Sequence, residues 1–374
     1  MSGRQSKKVP IFLLALLAVA LLAGCAGADD PDCPRETVAD RSTVAPFEPA
    51  ADGSNYREPA VRNLSEEERK AAASQGSPEN FWESLDVPTC IARIDGTWFL
   101  ADCYHNQILW NDAEDAPERP LTDWRVVTAD ATQPHTIAGV DGVYLVDDTE
   151  NNRVLVFERV EDAFVNTQTF WNIGVRPHYT AYDPRSDTWY VWSSMTGELY
   201  LFRRAKGTKD VYLTEIRQIE ALRGIYIRSF TIVGDRIYFV SGIPSPENPS
   251  YRSAILCCDL KTLDILASYP VPESIAGMSQ LFPTGGNCFL ISVSTDAAGD
   301  QGAAALIRAG RLSDLEKGEY EDVYAACFVG GGTPYYMARI DNDCYLTEHR
   351  LRDHALWRFR IEKDGTIDAV KGLY

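Results

Sequence analysis

Five histidines are the side chains of this chain best suited to metal or proton chemistry: His105, His135, His178, His349 and His354. His135 and His178 each follow a proline, Pro134 and Pro177, and each opens an apolar run. Neutral imidazole ligates divalent metals, and an imidazole titrating near neutrality moves protons. Catalytic zinc usually takes three protein ligands, so two convergent histidines fall one short. Carboxylates (Asp102, Asp147, Asp148, Glu348, Asp353) and guanidinium groups (Arg176, Arg228, Arg350, Arg352) lie in neighbouring stretches. The first set would draw a cation and the second an anion. No Gly-x-Ser-x-Gly, His-Glu-x-x-His, Walker-type phosphate loop or EF-hand loop occurs. Eight cysteines follow Cys25 without a Cys-x-x-Cys, which disfavours thioredoxin-like chemistry and zinc ribbons. Their even number permits disulfides but does not choose a pairing, and free buried thiols are the alternative.

The elements that must position these groups are short. From about residue 80 the chain is a series of alternating apolar runs separated by Asp-Gly and similar turns, the pattern of β-hairpins. Stacked on one another, the runs repeat. One unit reads His135–Val140, the turn Asp141-Gly142, Val143–Val146, a polar loop, then Val154–Phe157. The unit before it reads Cys90–Ile94, Asp95-Gly96, Trp98–Ala101, a polar loop, then Ile108–Trp110. Asp102 aligns with Asp148, Asn106 with Asn152 and Gln107 with Arg153. A short polar side chain ending a strand can bind the backbone of the following turn. A third unit begins at His178, and weaker copies centre on 236–240, 287–291 and 343–347. Six copies over 79–374 give about 49 residues each, near the repeat length of propeller blades.

The second unit resembles the NHL repeat, a propeller-blade motif whose middle strand ends in Asp and whose third strand follows an Asn-Arg-type turn. The first unit matches well, the third in part, and the last three share only the strand pattern. The resemblance implies an all-β fold, a six-bladed β-propeller, with seven blades as the alternative. A closed ring also removes exposed sheet edges. In a four-stranded blade, the loop entering the inner strand and the loop joining the second and third strands share a face. His135 and His178 then stand at inner-strand starts beside the channel, with Tyr335 at the matching point of unit six. His105, His349 and His354 fall in the second type of loop, so all five histidines share one face. The strand aromatics Trp98, Tyr144, Trp189, Tyr238, Phe289 and Tyr345 are expected between blades.

Peptidyl-hydroxyglycine lyase, similar in having six blades, places zinc-binding histidines at such strand starts. Here units one, four, five and six offer no histidine at that point. The gluconolactonase-type propeller relies on a carboxylate at the first inner strand, where this chain has Thr89-Cys90. A divalent metal is therefore the only cofactor the histidines suggest, without a complete ligand set.

The N-terminus bears Arg4, Lys7 and Lys8 and then an uncharged run, Ile11 to Ala23, too short for a stable membrane span. It closes on Leu22-Ala23-Gly24-Cys25, which resembles the lipobox of bacterial lipoproteins. The resemblance implies cleavage before Cys25, lipid on its sulfur, and anchoring on the extracytoplasmic face of a membrane. The organisation expected is a signal peptide over 1–24, an anchor, flexible tether and short helix over 25–78, and the propeller over 79–374. Ser65 and Glu68 form a capping box for that helix, and Glu66 can pair with Lys70. Acids outnumber bases 54 to 36, a net charge of −18, which disfavours nucleic acid as a partner. The expected function is a monomeric, surface-tethered propeller that binds a protein, peptide or glycan without catalysis. The alternative is an extracellular metal-dependent lyase or hydrolase.

Overall fold

In a computed structural model, residues 30–36, 44–54, 56–59, 64–243, 249–286 and 288–374 are described. The signal segment and Cys25 lie outside them. Local turn chemistry builds the hairpins. Asp95 and Gly96, and again Asp141 and Gly142, both take positive φ, the backbone that a two-residue hairpin turn demands. Among the described residues, twenty-four strands form six four-stranded sheets, each in simple sequential order. The inner strands are Pro88–Ile94, Pro134–Val140, Pro177–Asp183, Ile227–Val233, Gly277–Pro283 and Thr333–Ile340. The fold is a six-bladed β-propeller, not a seven-bladed one.

Every blade is one continuous stretch of chain, so the ring closes by packing and not by strand exchange. Blade six meets blade one through Trp98 against Tyr345, 5.6 Å between ring centroids. The Trp124 indole donates to the Tyr374 hydroxyl at 3.0 Å, and that hydroxyl donates to the Arg119 carbonyl at 2.6 Å. The six strand aromatics expected between blades are all buried. Each such side chain withdrawn from water contributes about 1.5–3 kcal/mol.

The aligned polar residues perform equivalent tasks, although not the one expected. Asp102 accepts the backbone N–H of Asp86 at 2.7 Å, and Asp148 that of Thr132 at 2.7 Å. Both therefore clamp the backbone of the loop that enters their own blade, 16 residues upstream; of the turn that follows they hold side chains, His105 on Asp102 and Asn151 on Asp148. Asn106 and Asn152 reach into the next blade, accepting the N–H of Gln133 at 2.9 Å and of Arg176 at 2.8 Å. Gln107 donates to Asp102 at 3.0 Å, and Arg153 bonds Asp148.

The helix spans Glu66–Ala73 and carries both halves of its capping box. Arg69 bridges it to Glu158 of blade two at 3.0 Å. The described parts of the segment read as a flexible tether lie against the propeller. Asp32 pairs with Arg311 at 2.8 Å and accepts the Ser313 N–H. Phe47 bridges to Ala205 and Arg57 to Leu213, with Phe47, Tyr56 and Tyr212 packed ring to ring. Composition suggested a free chain because the apolar residues are few; Phe47 and Tyr56 nonetheless find a seat on a blade. Cys90, Cys103, Cys257, Cys258, Cys288, Cys327 and Cys344 are free thiols. Among the described residues no helix is long and apolar enough to cross a membrane.

Candidate functional site

Proline explains where the central histidines stand. Pro134 and Pro177 are the first residues of their inner strands, a position that needs no ladder N–H. The next residue in each case turns into the axis of the ring. His135 and His178 meet there with ring centroids 3.7 Å apart. Blade six contributes from the opposite side: Tyr335 lies 6.4 Å from His135 and 4.2 Å from His349. His135, His178, His349 and Tyr335 are thus brought together. His105 and His354 are not. His105 binds Asp102 at 2.7 Å and stacks on Trp82 at 3.9 Å, and His354 stacks on Trp357 at 5.0 Å.

The hydrogen-bond network assigns the ring protons. Thr149 donates its hydroxyl to the Pro177 carbonyl at 2.7 Å, so His135 Nδ1 donates to Thr149 at 2.8 Å. Its Nε2 faces the Cys103 thiol at 3.9 Å. His178 Nδ1 donates to the Arg228 carbonyl at 3.1 Å, and its Nε2 accepts from the Tyr226 hydroxyl at 2.9 Å. His349 Nε2 donates to the Pro88 carbonyl at 3.1 Å. Desolvation pushes His135 down to about 3, helped by the charges of Arg176 and His349. Desolvation also holds His349 at about 3 and His178 well below the ordinary value. His135 and His178 are buried and His349 half-buried, and all three are neutral and engaged at physiological pH.

The carboxylates are equally committed. Asp147 accepts the N–H groups of His135 at 2.7 Å and Thr136 at 3.1 Å, with the Thr136 and Thr180 hydroxyls completing its shell. Burial nonetheless pushes it up to about 6. Glu348 accepts from the Trp357 indole at 2.7 Å and from the Tyr324 hydroxyl, and burial raises it to about 7. Asp353 is exposed in the loop before His354.

A divalent metal does not fit this set. The nitrogens of His135 and His178 are occupied, and the charges of Arg176 and Arg228 bear on both rings. Among the described residues no group of three or more His, Cys, Asp or Glu could hold a metal ion. Nor does the cluster suit general base catalysis, which wants a group near the working pH within reach of solvent.

What this end of the ring does expose is aromatic and cationic. Phe81 is 83% exposed, Trp82 51% and Tyr104 56%, all at the periphery of blade one near His105. Trp171, at the end of blade two beneath Arg153 (4.8 Å), and Val175 continue the surface. Toward the axis Arg228 lies over the Tyr226 ring at 5.0 Å, and Arg176 pairs with Glu150. Arg350 is tied to Thr333 at 2.7 Å and to the Gly332 carbonyl. Sequence reasoning missed Thr149, which bonds His135 within its own blade, and Tyr226, Tyr336 and Cys103, whose contacts to the histidines span blades and follow no local pattern. Phe81-Trp82 was legible in principle, as an aromatic pair outside any alternating run.

No family model matches the chain, and no curated protein matches it. Among solved structures the chain is similar to hydrazine synthase of Kuenenia stuttgartiensis, at 14% identity and a TM-score of 0.48. That alignment covers 75% of this chain and 79% of the other. It is similar to a putative 6-phosphogluconolactonase from Bacteroides uniformis at 13% identity and 0.49, covering 74% and 79%. A nidogen/laminin complex gives 11% identity and 0.49, covering 73% and 92%. At these identities none says anything about ligand or chemistry.

Proposed function

We propose that the protein is a lipid-anchored, extracytoplasmic binding propeller that recognises a protein, peptide or glycan through its histidine end and catalyses nothing there. The observation that carries this reading is the division of labour at that end. His135 and His178 are buried, neutral and hydrogen-bonded, whereas Phe81, Trp82, Tyr104 and Trp171 stand in water. Rigid aromatic side chains with nearby arginines are the usual anchors of recognition surfaces, and exposed apolar patches mark interaction sites.

The anchor rests on the Leu22–Cys25 sequence and is consistent with the placement of the chain after it. Asp32 is fixed to Arg311 and Ser313, in the loop joining the third and fourth strands of blade five, opposite the histidine end. Asp32 lies seven positions after Cys25, a reach of about 25 Å at most. Lipid on Cys25 would keep the opposite face near the membrane and turn the aromatic surface outward.

The test is binding of arrayed envelope proteins, peptides and glycans to the lipid-free protein and to a Trp82→Ala/Tyr104→Ala/Trp171→Ala variant. The reading expects at least a tenfold loss of affinity at an unchanged melting temperature. Binding that survives all three replacements would defeat it.

A further inference from the structure

The channel is asymmetric. At one end the rings of His135, His178, Tyr335 and Tyr336 close it. From the other end a funnel of about 430 Å³ runs inward and continues into an inner cavity of about 200 Å³. Tyr179, Ala181, Gln280, Met337 and Ala338 line both, so the two form one space along the axis. Its combined size falls in the range of pockets that hold small ligands.

The walls sort by chemistry. Phe230, Ile232, Leu281 and Phe282 make the outer funnel apolar. Gln280 is spent on bracing the blades: its Oε1 accepts from Met337 N at 2.6 Å and its Nε2 donates to the Met337 carbonyl at 3.1 Å. Deeper in, the Tyr179 hydroxyl accepts from Gln280 at 3.4 Å, and its own proton has no acceptor among the described residues. At the rim stands Arg339, anchored to the Thr284 carbonyl at 2.6 Å and lying over the Phe282 ring at 5.7 Å. Its Nε faces the carboxylate of Glu36 at 2.9 Å. Glu36 belongs to the N-terminal segment and not to any blade.

We propose that this funnel binds a small amphipathic carboxylate, its apolar body against Phe230, Leu281 and Phe282 and its carboxylate on Arg339. Glu36 is then a tethered competitor that occupies the guanidinium when the funnel is empty. Arg185 at the rim is paired with Asp183 at 3.0 Å and lies 3.9 Å from Asp235, so the cation that Glu36 alone offsets is Arg339, and without Glu36 that point of the rim favours an anion. Charge-assisted pairing of a carboxylate with Arg would fix the orientation, and burial of the apolar body would supply most of the affinity.

The experiment is calorimetric titration of the whole lipid-free protein with naphthalene-2-carboxylate, decanoate and the uncharged naphthalene-2-methanol. The proposal expects one saturable site for at least one of the two carboxylates and at least fivefold weaker binding of the alcohol. Which carboxylate binds tells a rigid ring from an acyl chain. Glu36→Gln should tighten the carboxylate severalfold, and Arg339→Gln should erase the preference over the alcohol. Ala338→Trp should fill the funnel and abolish binding. Should that variant fail to fold, the rim variants, which leave the core untouched, still decide the matter. No saturable binding of either carboxylate to the Glu36→Gln protein at millimolar concentration overturns the proposal, as does a carboxylate preference that survives Arg339→Gln.

Discussion

His135 and His178, 43 positions apart in sequence, lie ring on ring at 3.7 Å, and each keeps one N–H donor and one acceptor engaged. Two charged imidazoles could not share that space, so the pair enforces its own neutrality. Replacing both with Ala is expected to lower stability by about 3–6 kcal/mol, from the cavity formed and the stranded Tyr226 and Thr149 hydroxyls. Binding at the outer aromatic surface should persist. Denaturant melts and affinity on one preparation check this, and lost binding at undiminished stability would return the histidines to the site.

Acid sensitivity should follow from the same pair. His135 titrates at about 3 in the fold against 6.5 ordinarily, so between those values the unfolded chain binds the extra proton. The stability that neutral His135 contributes is present above pH 6.5 and lost as the pH falls through that window. Asp147 works the other way. Its value of about 6, against 3.8 ordinarily, means the native state binds more protons between those limits, and its contribution is lost as the pH rises through 6. In urea unfolding at pH 7.5 and 5.0, His135→Gln should lose less stability on acidification than the wild type. Asp147→Asn should lose more.

The inter-blade clamp gives a sharper comparison. Asn152 holds the Arg176 N–H while itself sitting at φ 52°. Asn152→Ala forfeits a hydrogen bond and leaves in the left-handed region a residue without the polar side chain that lets Asn tolerate it, costing about 2 kcal/mol in all. Asn152→Gly loses only the hydrogen bond and should be about 1 kcal/mol milder. Equal effects in thermal melts would mean that the backbone at this position is not left-handed in solution.

The N-terminal segment should behave as part of the body. Phe47 is buried against Tyr56 and Tyr212, so Phe47→Ala is expected to cost about 2–4 kcal/mol of local stability. Limited proteolysis should then cut between residues 44 and 59 well before the blades. Cleavage at wild-type rates would show the segment to be loosely held already.

Anchoring depends on one sulfur. Cys25→Ala should leave the precursor uncleaved and unlabelled by radioactive fatty acid, and normal labelling would end the lipoprotein reading.

The sequence by itself determined what is local. Asp-Gly turns set the hairpins, and period-two apolar runs set the strands. The alignment of Asp102 with Asp148 and of Asn106 with Asn152 marked the same clamps in successive blades, because each repeat solves one local problem in one way. It also marked the residues that reach the axis, since a proline-histidine pair at an inner-strand start has nowhere else to go. What those histidines can do was decided by tertiary structure alone. Tyr336 reaches His178 across 158 positions and Pro88 reaches His349 across 261, and it is ring closure that buries the imidazoles, occupies their nitrogens and holds them neutral. The seat of the N-terminal segment was hidden for the same reason: Phe47 and Glu36 acquire their roles only from Ala205, Tyr212 and Arg339, blades away, and contacts of that range leave no periodic trace in a chain.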